Sequence, residues 1–328
     1  MEDKERTGLR VAYICDGGPK LGLGHINRGR ALLQATPGYL VVGGGKAQLT
    51  QQLQGVEWVP WSSQATPFAP DAVPDALVVV DNYEIPERWI AALAQHTTVV
   101  VVDDWRRPNT AAHWVVNPNV GARSNFYSGP PLSRRLCGSR YALIRPGLST
   151  CTPLSPDVGR VLVTLGGGDP SLPVPVVVEA IVSHARGLLR RIDVVLGPVS
   201  SGELPKIDSS ARDLVVIHRG AANFAELCAS AEIVVCPAST TSHEMAYLGV
   251  AFIPVVTVGN QVRTGMGWQE AGMGSYLTSD DPRVPDRIGE EVSRLLGDRP
   301  SRLTRVSRGR RIVDGNGAHR IIQSLGVS

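Results

Sequence analysis

One histidine in this sequence stands where a side chain could exchange a proton with a bound molecule. His25 follows a short apolar run, Val11 to Cys15, and a loop over residues 16–21 that is rich in glycine. A helical pattern begins directly after it, with apolar residues at helical spacing from Ile26. Such a junction lies at the carboxyl edge of a parallel sheet, where open α/β folds bind ligands. Because histidine titrates near neutral pH, His25 is a candidate general base; capping its helix or bonding the loop is the alternative role.

A second polar segment suits an anionic ligand. Ser239, Thr240 and Thr241 follow an apolar strand and begin a helix, where free backbone N–H groups and hydroxyls would bind a diphosphate. Glu244 lies one turn further on the same face as Thr240 and could accept hydrogen bonds from a vicinal diol such as a ribose. Thr241 and Glu244 also fit a capping box, in which both only satisfy the helix backbone.

Two further turns reach the same edge. Gly166, Gly167 and Gly168 follow an apolar run that begins at Arg160, and such a triplet lets a ligand approach the backbone as the other half of a phosphate cradle. Its spacing matches neither the dinucleotide fingerprint nor the P-loop. Asn260-Gln261 follow a later strand and either contact a ligand or form a polar turn.

Acidic and polar residues end two strands of the first half. Asp81-Asn82-Tyr83 and Asp103-Asp104 could hold a polar substrate or orient the imidazole, and capping or turn formation is their commoner use. No His/Cys/Asp cluster has metal-ligand spacing, so the sequence predicts no metal and no cofactor. A solvated helix face is predicted for the tail arginines Arg302, Arg305, Arg308, Arg310 and Arg311.

The elements that must position these residues alternate between strand and helix. Strands are predicted over residues 11–15, 39–42, 77–80, 98–102, 114–116, 160–165, 191–196, 214–217, 233–235 and 252–256. Helices are predicted over residues 28–34, 47–53, 87–95, 174–184, 223–229, 241–248 and 267–271, and over the tail 302–325 with a break at 315–317. Continuous Val, Ile and Leu runs are typical of parallel strands buried on both faces.

The order strand, glycine-rich turn, helix occurs at the head of each half of the chain. This repetition predicts an α/β fold of two doubly wound, Rossmann-like domains that face each other across a cleft. We expect residues 1–149 to form the domain that carries His25. Residues 150–328 would form a nucleotide-binding domain with a C-terminal helix, and the linker would lie near residues 147–158. A length of 328 residues suits two domains.

Composition narrows the class of protein. The chain is 43% hydrophobic and 19% charged with a net charge of +3, which is typical of a soluble globular protein and does not favour nucleic acid or a membrane surface as partner. Five cysteines without a CxxC pair predict a reducing compartment. Residues 1–7 are polar, and no apolar stretch approaches the roughly 20 residues of a membrane span. We therefore expect a cytoplasmic protein that is a monomer or a weak dimer.

A series of short motifs runs along nearly the whole chain in a characteristic order. They are DGG at 16–18, GLGHINR at 22–28, DNY at 81–83, VDD at 102–104, NPNVGA at 117–122, RYALIRP at 140–146, GGGDP at 166–170, STTSHE at 239–244, GNQ at 259–261 and DGNGA at 314–318. The series resembles the nucleotide-sugar hydrolase of the pseudaminic acid pathway, the UDP-2,4-diacetamido-2,4,6-trideoxy-β-L-altropyranose hydrolase family.

The resemblance implies the two-domain GT-B fold of glycosyltransferases and cleavage of the sugar C1–O bond of a UDP-sugar with inversion, without a metal. His25 would be the general base that activates water. The implied substrate contacts are Asp16, Gly22, Gly24, Arg28, Asp81, Tyr83, Asn260 and Gln261. The implied nucleotide contacts are Gly166, Gly167, Gly168, Ser239, Thr240 and Thr241, with Glu244 at the ribose.

Two departures from the family pattern leave alternatives open. Pro237-Ala238 replace the usual glycine pair before STT, and Asn82 replaces a histidine. A GT-B glycosyltransferase that uses His25 to deprotonate a small-molecule acceptor is the first alternative. A non-catalytic protein that binds nucleotide sugars is the second.

Overall fold

The computed structural model describes residues 10–18, 22–43, 53–60, 76–148, 157–168, 172–198, 200, 209 and 211–326. Most of the predicted helix 47–53, most of the predicted linker and the end of the GGGDP motif lie outside these ranges.

The first half of the chain forms a seven-stranded parallel sheet within the described residues. Its strands are β1 (Arg10–Cys15), β2 (Gly38–Val42), β3 (Trp58–Pro60), β4 (Ala76–Asp81), β5 (Val99–Val102), β6 (Trp114–Asn117) and β7 (Arg135–Cys137). Their order in the sheet is β3-β2-β1-β4-β5-β6-β7. The valines of β4 and β5 are buried, as expected for strands covered on both faces.

The second half repeats this arrangement. Its strands are β8 (Arg160–Val163), β9 (Arg191–Leu196), β10 (Val215–Arg219), β11 (Ile233–Pro237), β12 (Ala251–Val256) and β13 (Leu277–Thr278). They pair in the order β10-β9-β8-β11-β12-β13, again all parallel. In both sheets the order reverses beside the first strand, which creates the switch point where doubly wound folds bind ligands. The predicted fold of two doubly wound domains is confirmed.

Helices cover the sheets. They are α1 (Gly24–Leu33), α2 (Glu87–Leu93), α3 (Val174–Ala185), α4 (Phe224–Ser230), α5 (Thr240–Leu248), α6 (Val262–Glu270), α7 (Val284–Gly297), α8 (Arg299–Ile312) and α9 (Gly317–Leu325). α1 begins four residues before the predicted start and α6 five before its own. Helix α7 and the edge strands β3, β7 and β13 were not predicted. The three strands are only two or three residues long, which is too short for a recognisable pattern.

The prediction that the tail arginines form a solvated face is wrong for Arg302, which pairs with Glu232, and for Arg305, whereas Arg308, Arg310 and Arg311 are exposed. Arg305 is 6% exposed and binds the Glu291 carboxylate of α7. Arg308 donates to the Gly272 carbonyl at 2.9 Å, and Arg310 donates to the Leu248 carbonyl at 3.2 Å. These carbonyls belong to distant parts of the chain. The spacing of the arginines therefore could not show whether their side chains bind a carbonyl or water.

The end of the chain packs against the first domain. Ile321 and Ile322 of α9 are buried in the hydrophobic cluster that contains Val11 and Leu32. Residues within the predicted second domain therefore complete the core of the first.

Within the described ranges, none of the helices combines the length and apolarity needed to cross a bilayer. In the same ranges, His, Cys, Asp and Glu side chains do not gather in a group of three or more suited to a metal ion.

Candidate functional site

His25 lies in the first turn of α1 and is held by the end of β4. Its Nδ1 is 2.8 Å from Oδ1 of Asp81 and 2.8 Å from the Asp81 carbonyl oxygen. Both of these partners are acceptors and lie closer than Nη2 of Arg28, a donor 3.3 Å away, so Nδ1 carries the proton. The neutral form of this tautomer has its lone pair on Nε2. The alternative role as a helix cap is wrong, because Leu23 is the N-cap and has no side-chain capping bond.

Arg28, one turn after His25, joins two acidic side chains. It donates to both carboxylate oxygens of Asp81, at 2.7 and 2.8 Å, and to Asp104 at 3.1 and 3.2 Å. Tyr13 also donates to Asp81, at 2.6 Å. We refer to His25, Arg28, Asp81, Tyr83 and Asp104 as the charge cluster.

The charge cluster holds its two carboxylates ionised. Burial alone would raise the pKa of Asp81, but the Arg28 guanidinium and His25 hold it well below its usual range. Arg28 likewise lowers the pKa of Asp104 against the effect of burial. Two carboxylates around one guanidinium leave the cluster with a net negative charge beside the imidazole.

Tyr83 connects the charge cluster to the second domain. Its hydroxyl donates to Asp104 and accepts from Nδ2 of Asn260 at 2.8 Å. Its ring meets the imidazole of His25 edge-on, with centroids 4.6 Å apart. Burial, and then Asp104, raises the pKa of Tyr83, so the hydroxyl stays protonated at neutral pH.

The other residues of these first-domain motifs form turns. Asn82 donates to Asp16 and accepts from the backbone N–H of Glu84 at 2.8 Å. Asp103 accepts from the backbone N–H groups of Arg106 and Arg107. Asp16 and Asp81 are buried behind the cavity described below and do not line it.

Ser239 is the N-cap of α5, and its side chain makes no capping bond. The capping box of Thr241 and Glu244, considered from the sequence, is therefore not formed. Ser239, Thr240 and Thr241 instead line a cavity.

Glu244 is fully buried and does not line that cavity. Both of its carboxylate oxygens accept from Arg145, at 2.6 and 2.7 Å. Glu244 therefore faces Arg145 rather than the cavity, and it is Arg145 that lines the cavity and lies over the Phe224 ring at 4.7 Å. The pKa of Arg145 is lowered by burial but raised more by Glu244.

The glycine-rich turns of the two domains meet across the cleft. Gly22 has a φ of +70°, and a Cβ there would lie 3.6 Å from the Gly168 nitrogen. Gly166 and Gly167 line the cavity, whereas Gly168 lies behind them. Gln261 lines it too, and its side-chain oxygen accepts from the backbone N–H of Thr257 at 2.9 Å.

One cavity of about 690 Å³ brings most of the predicted residues together, a volume usual for a small-molecule site. Its first-domain wall contains Gly22, Gly24, His25, Arg28, Tyr83 and Asp104, and its second-domain wall contains Gly166, Gly167, Ser239, Thr240, Thr241, Asn260 and Gln261. The lining also contains residues that were not predicted as site residues: Asn27, Arg30, Arg145, Asn223 and Phe224. Gly24, Asn27 and Arg30 are spaced three residues apart on α1 and therefore lie on one face of the helix. This spacing could have identified Asn27 and Arg30 from the sequence.

Comparison with known proteins agrees with this architecture. No protein-family model matches the chain, and no curated protein matches it significantly. Solved structures match over the full length. MurG of Acinetobacter baumannii is 14% identical over 96% of this chain and 98% of its own, with a TM-score of 0.61.

Two further structures were solved with ligands. The UDP-GlcNAc 2-epimerase of Neisseria meningitidis bound to UDP-GlcNAc is 12% identical over 98% of this chain and 100% of its own, with a TM-score of 0.60. The spinosyn rhamnosyltransferase SpnG complexed with thymidine diphosphate is 13% identical over 97% of this chain and 100% of its own, also with a TM-score of 0.60. The chain therefore has the GT-B fold.

Proposed function

We propose that this protein hydrolyses a UDP-activated deoxy amino sugar by cleaving its C1–O bond with inversion. The main support is the meeting of two helix N-termini at one cavity. α1 and α5 begin on opposite walls, and neither has a side-chain cap. A Cβ on Gly24 would lie 3.8 Å from Oγ1 of Thr240. Unpaired first-turn N–H groups and two positive dipole ends favour a diphosphate between them.

His25 is the group we assign to proton transfer. With Nδ1 held by Asp81, Nε2 is the nitrogen available to accept a proton from water. The water oxygen bonds to C1 as the C1–O bond breaks, and that electron pair passes to the β-phosphate oxygen of the leaving UDP. Asp81 stabilises the imidazolium that forms, as in other carboxylate–histidine pairs.

The nucleoside end of the substrate is assigned to the second domain. Phe224, Asn223 and Arg145 line the cavity beyond the start of α5, and the sugar would lie between His25 and Asn260. UDP as the nucleotide and a deoxy amino sugar as the glycosyl group are supported by the motif series. The neighbours' own ligands are UDP-GlcNAc and thymidine diphosphate.

Incubation with UDP-2,4-diacetamido sugars in ¹⁸O-water tests the proposal. We expect UDP release, with no ¹⁸O in the UDP, because the broken bond is on the sugar side of the bridging oxygen. Label in the UDP would contradict C1–O cleavage. Tight UDP binding without any turnover would indicate a nucleotide-sugar binding protein instead.

Transfer of the sugar to an acceptor is the second candidate, and a neighbouring cavity favours it. This cavity of about 630 Å³ is lined by Trp105, Phe126 and Arg263 among others. Trp105 of this lining directly follows Asp104, which lines the first cavity. The guanidinium of Arg263 lies over the Trp105 and Phe126 rings, at 5.2 and 4.6 Å.

Trp105 itself is unusual. It is the non-glycine residue with a positive φ, +69°, in the described ranges, and its buried indole N–H makes no hydrogen bond there. Backbone strain of this kind concentrates at functional sites. UDP release that requires a small phenol such as 4-hydroxybenzoate, with a glycosylated phenol as product, would favour transfer. Equal release without the phenol would favour hydrolysis.

A further inference from the structure

We propose that His243 is a positioning residue that couples the nucleotide turn, residues 237–241, to the charge cluster of the first domain. The inference rests on the proposed function, because it assigns the nucleotide turn to the diphosphate. It concerns a histidine that does not line the cavity and that is therefore not a catalytic residue.

Both ring nitrogens of His243 are committed to backbone groups of different domains. Nδ1 is 3.0 Å from the Ser239 carbonyl oxygen, and Nε2 accepts from the backbone N–H of Val120 at 3.0 Å. A carbonyl can only accept and an amide N–H can only donate, so the ring is the neutral Nδ1–H tautomer. Burial is the main reason that the pKa of His243 is lowered to about 4, which keeps this tautomer at physiological pH.

On the nucleotide side, His243 helps to fix one peptide plane. The Ser239 carbonyl also accepts from the backbone N–H of Ser242 at 3.0 Å and from its hydroxyl at 2.6 Å, and Trp268 donates to that hydroxyl at 2.8 Å. In a trans peptide the C=O and the N–H point in opposite directions. Holding the Ser239 carbonyl therefore holds the direction of the Thr240 N–H, at the start of α5.

On the first-domain side, the hydrogen bond between Val120 and His243 is connected to the charge cluster through Asn119. Val120 follows Asn119, whose side-chain N–H₂ donates to Asp104 at 2.7 Å. Asp104 in turn binds Arg28, which binds the Asp81 carboxylate that orients His25. A continuous path of bonds thus connects the turn assigned to the diphosphate with the histidine assigned to proton transfer.

The backbones at Val120 and Gly267 approach so closely that the hydrogen bond between Val120 and His243 has little freedom to shift. A Cβ on Gly267 would lie 2.5 Å from the Val120 carbonyl oxygen, a distance that a side chain could not occupy. The His243 ring packs against Trp268 with centroids 5.2 Å apart. Movement of the nucleotide turn would therefore be transmitted to residues 119–120.

Two conservative variants separate the two bonds of His243. The amide of His243→Asn can replace Nδ1 toward Ser239 but is too short to reach Val120. The amide of His243→Gln can reach Val120 through its oxygen and gives up the Ser239 bond. Hydrogen exchange of residues 117–123, measured by mass spectrometry on the full chain with and without UDP, reports the bond directly. His184→Asn, on α3, is the matched control.

The Gln variant keeps the bond to Val120 but loses the bond to the turn, so its protection of residues 117–123 should match the wild type without UDP and should not increase with UDP. In the wild type and the control, we expect UDP to increase protection of residues 117–123. In the Asn variant that increase should be lost while the affinity for UDP, measured by calorimetry, changes less than about threefold. kcat for the nucleotide sugar should fall roughly 10- to 100-fold in the Asn variant, with KM little changed, because a small misplacement of reacting groups has effects of that size.

An equal response to UDP in the wild type and in either variant would overturn the inference, and so would equal protection of the unliganded Asn and Gln variants. Failure of UDP to bind the wild type would instead count against the proposed function. The comparison of unliganded wild type and Asn variant would still test the bond between His243 and Val120 in that case.

Discussion

At the scale of single residues, the site depends on how β4 ends. Asp81 closes that strand and contacts both His25 and Arg28, so one buried carboxylate sets the tautomer of the imidazole and pairs with the guanidinium. Neither contact involves a neighbour in sequence. The pair holds the imidazole of His25, the proposed general base, in one orientation before a substrate binds.

His25→Ala should lower kcat by about 10²- to 10⁴-fold, the usual contribution of a general base. UDP affinity should stay within a few-fold, because the diphosphate is assigned to backbone groups rather than to the imidazole. Steady-state kinetics and titration calorimetry measure the two quantities. Unchanged kcat would remove His25 from the mechanism.

Asp81 should also contribute to the pH dependence of the free energy of unfolding in acid. Its pKa is lowered in the folded state, so its contribution is complete above about pH 4, the ordinary range of an aspartate, and is lost as the pH falls toward the folded pKa. The free energy of unfolding of the wild type should therefore decrease below about pH 4.

Asp81→Asn should be less stable at pH 7 and show a shallower decrease in acid. Urea unfolding at a series of pH values measures this, with the exposed Asp280→Asn as control. Parallel curves for wild type and Asp81→Asn would contradict the prediction.

At the scale of elements, α7 and α8 are joined by a partly buried ion pair. Arg305 of α8 binds Glu291 of α7 and packs over the backbone of Gly274, whose φ is +120°. The hydrophobic cluster of the second domain includes four residues of α7: Val284, Ile288, Val292 and Leu295. The ion pair therefore holds α8 against an element that belongs to the core.

Arg305→Ala should reduce the free energy of unfolding by about 2 kcal/mol, since it leaves Glu291 without its buried partner. Arg311→Ala, on the exposed face of the same helix, should change it by less than about 0.5 kcal/mol. Chemical denaturation of both variants gives the comparison. Similar losses in the two variants would show that helix propensity, rather than the ion pair, matters.

At the scale of the whole molecule, the chain crosses between its two domains twice. It leaves the first sheet after β7 and returns with α9, whose Ile321 packs in the first core. The first domain therefore needs residues from both ends of the chain. Separate expression of residues 1–149 would lack part of that core.

Ile321→Ala should lower the free energy of unfolding by about 2–4 kcal/mol, the usual effect of emptying a buried aliphatic site. Hydrogen exchange should place the loss in β1, β2 and α1 rather than in the second sheet. Gln323→Ala, on the exposed side of α9, is the control. A loss confined to the second domain would contradict the packing described here.

Much of the fold could be predicted from local pattern. Val-rich runs predicted most strands to within a residue or two, because burial on both faces imposes continuous apolarity. The position of His25 and of Ser239 at strand–helix junctions followed from the same pattern, since the chain must turn where a buried strand ends. Asn82 and Asp103 form the turns that short polar side chains commonly form.

The partners of the polar side chains were decided only by tertiary structure. Glu244 and Arg145 are 99 residues apart, and Asn260 and Tyr83 are 177 apart. A hydrogen bond requires two groups within about 3 Å in a fixed direction, and local periodicity carries no information on which distant turn supplies the second group. The sequence by itself therefore determined the two sheets and the edge at which ligands would bind. Only the tertiary structure, in which distant segments meet within the first domain and across the cleft, decided which arginine faces the cavity, which carboxylate orients His25 and which histidine joins the domains.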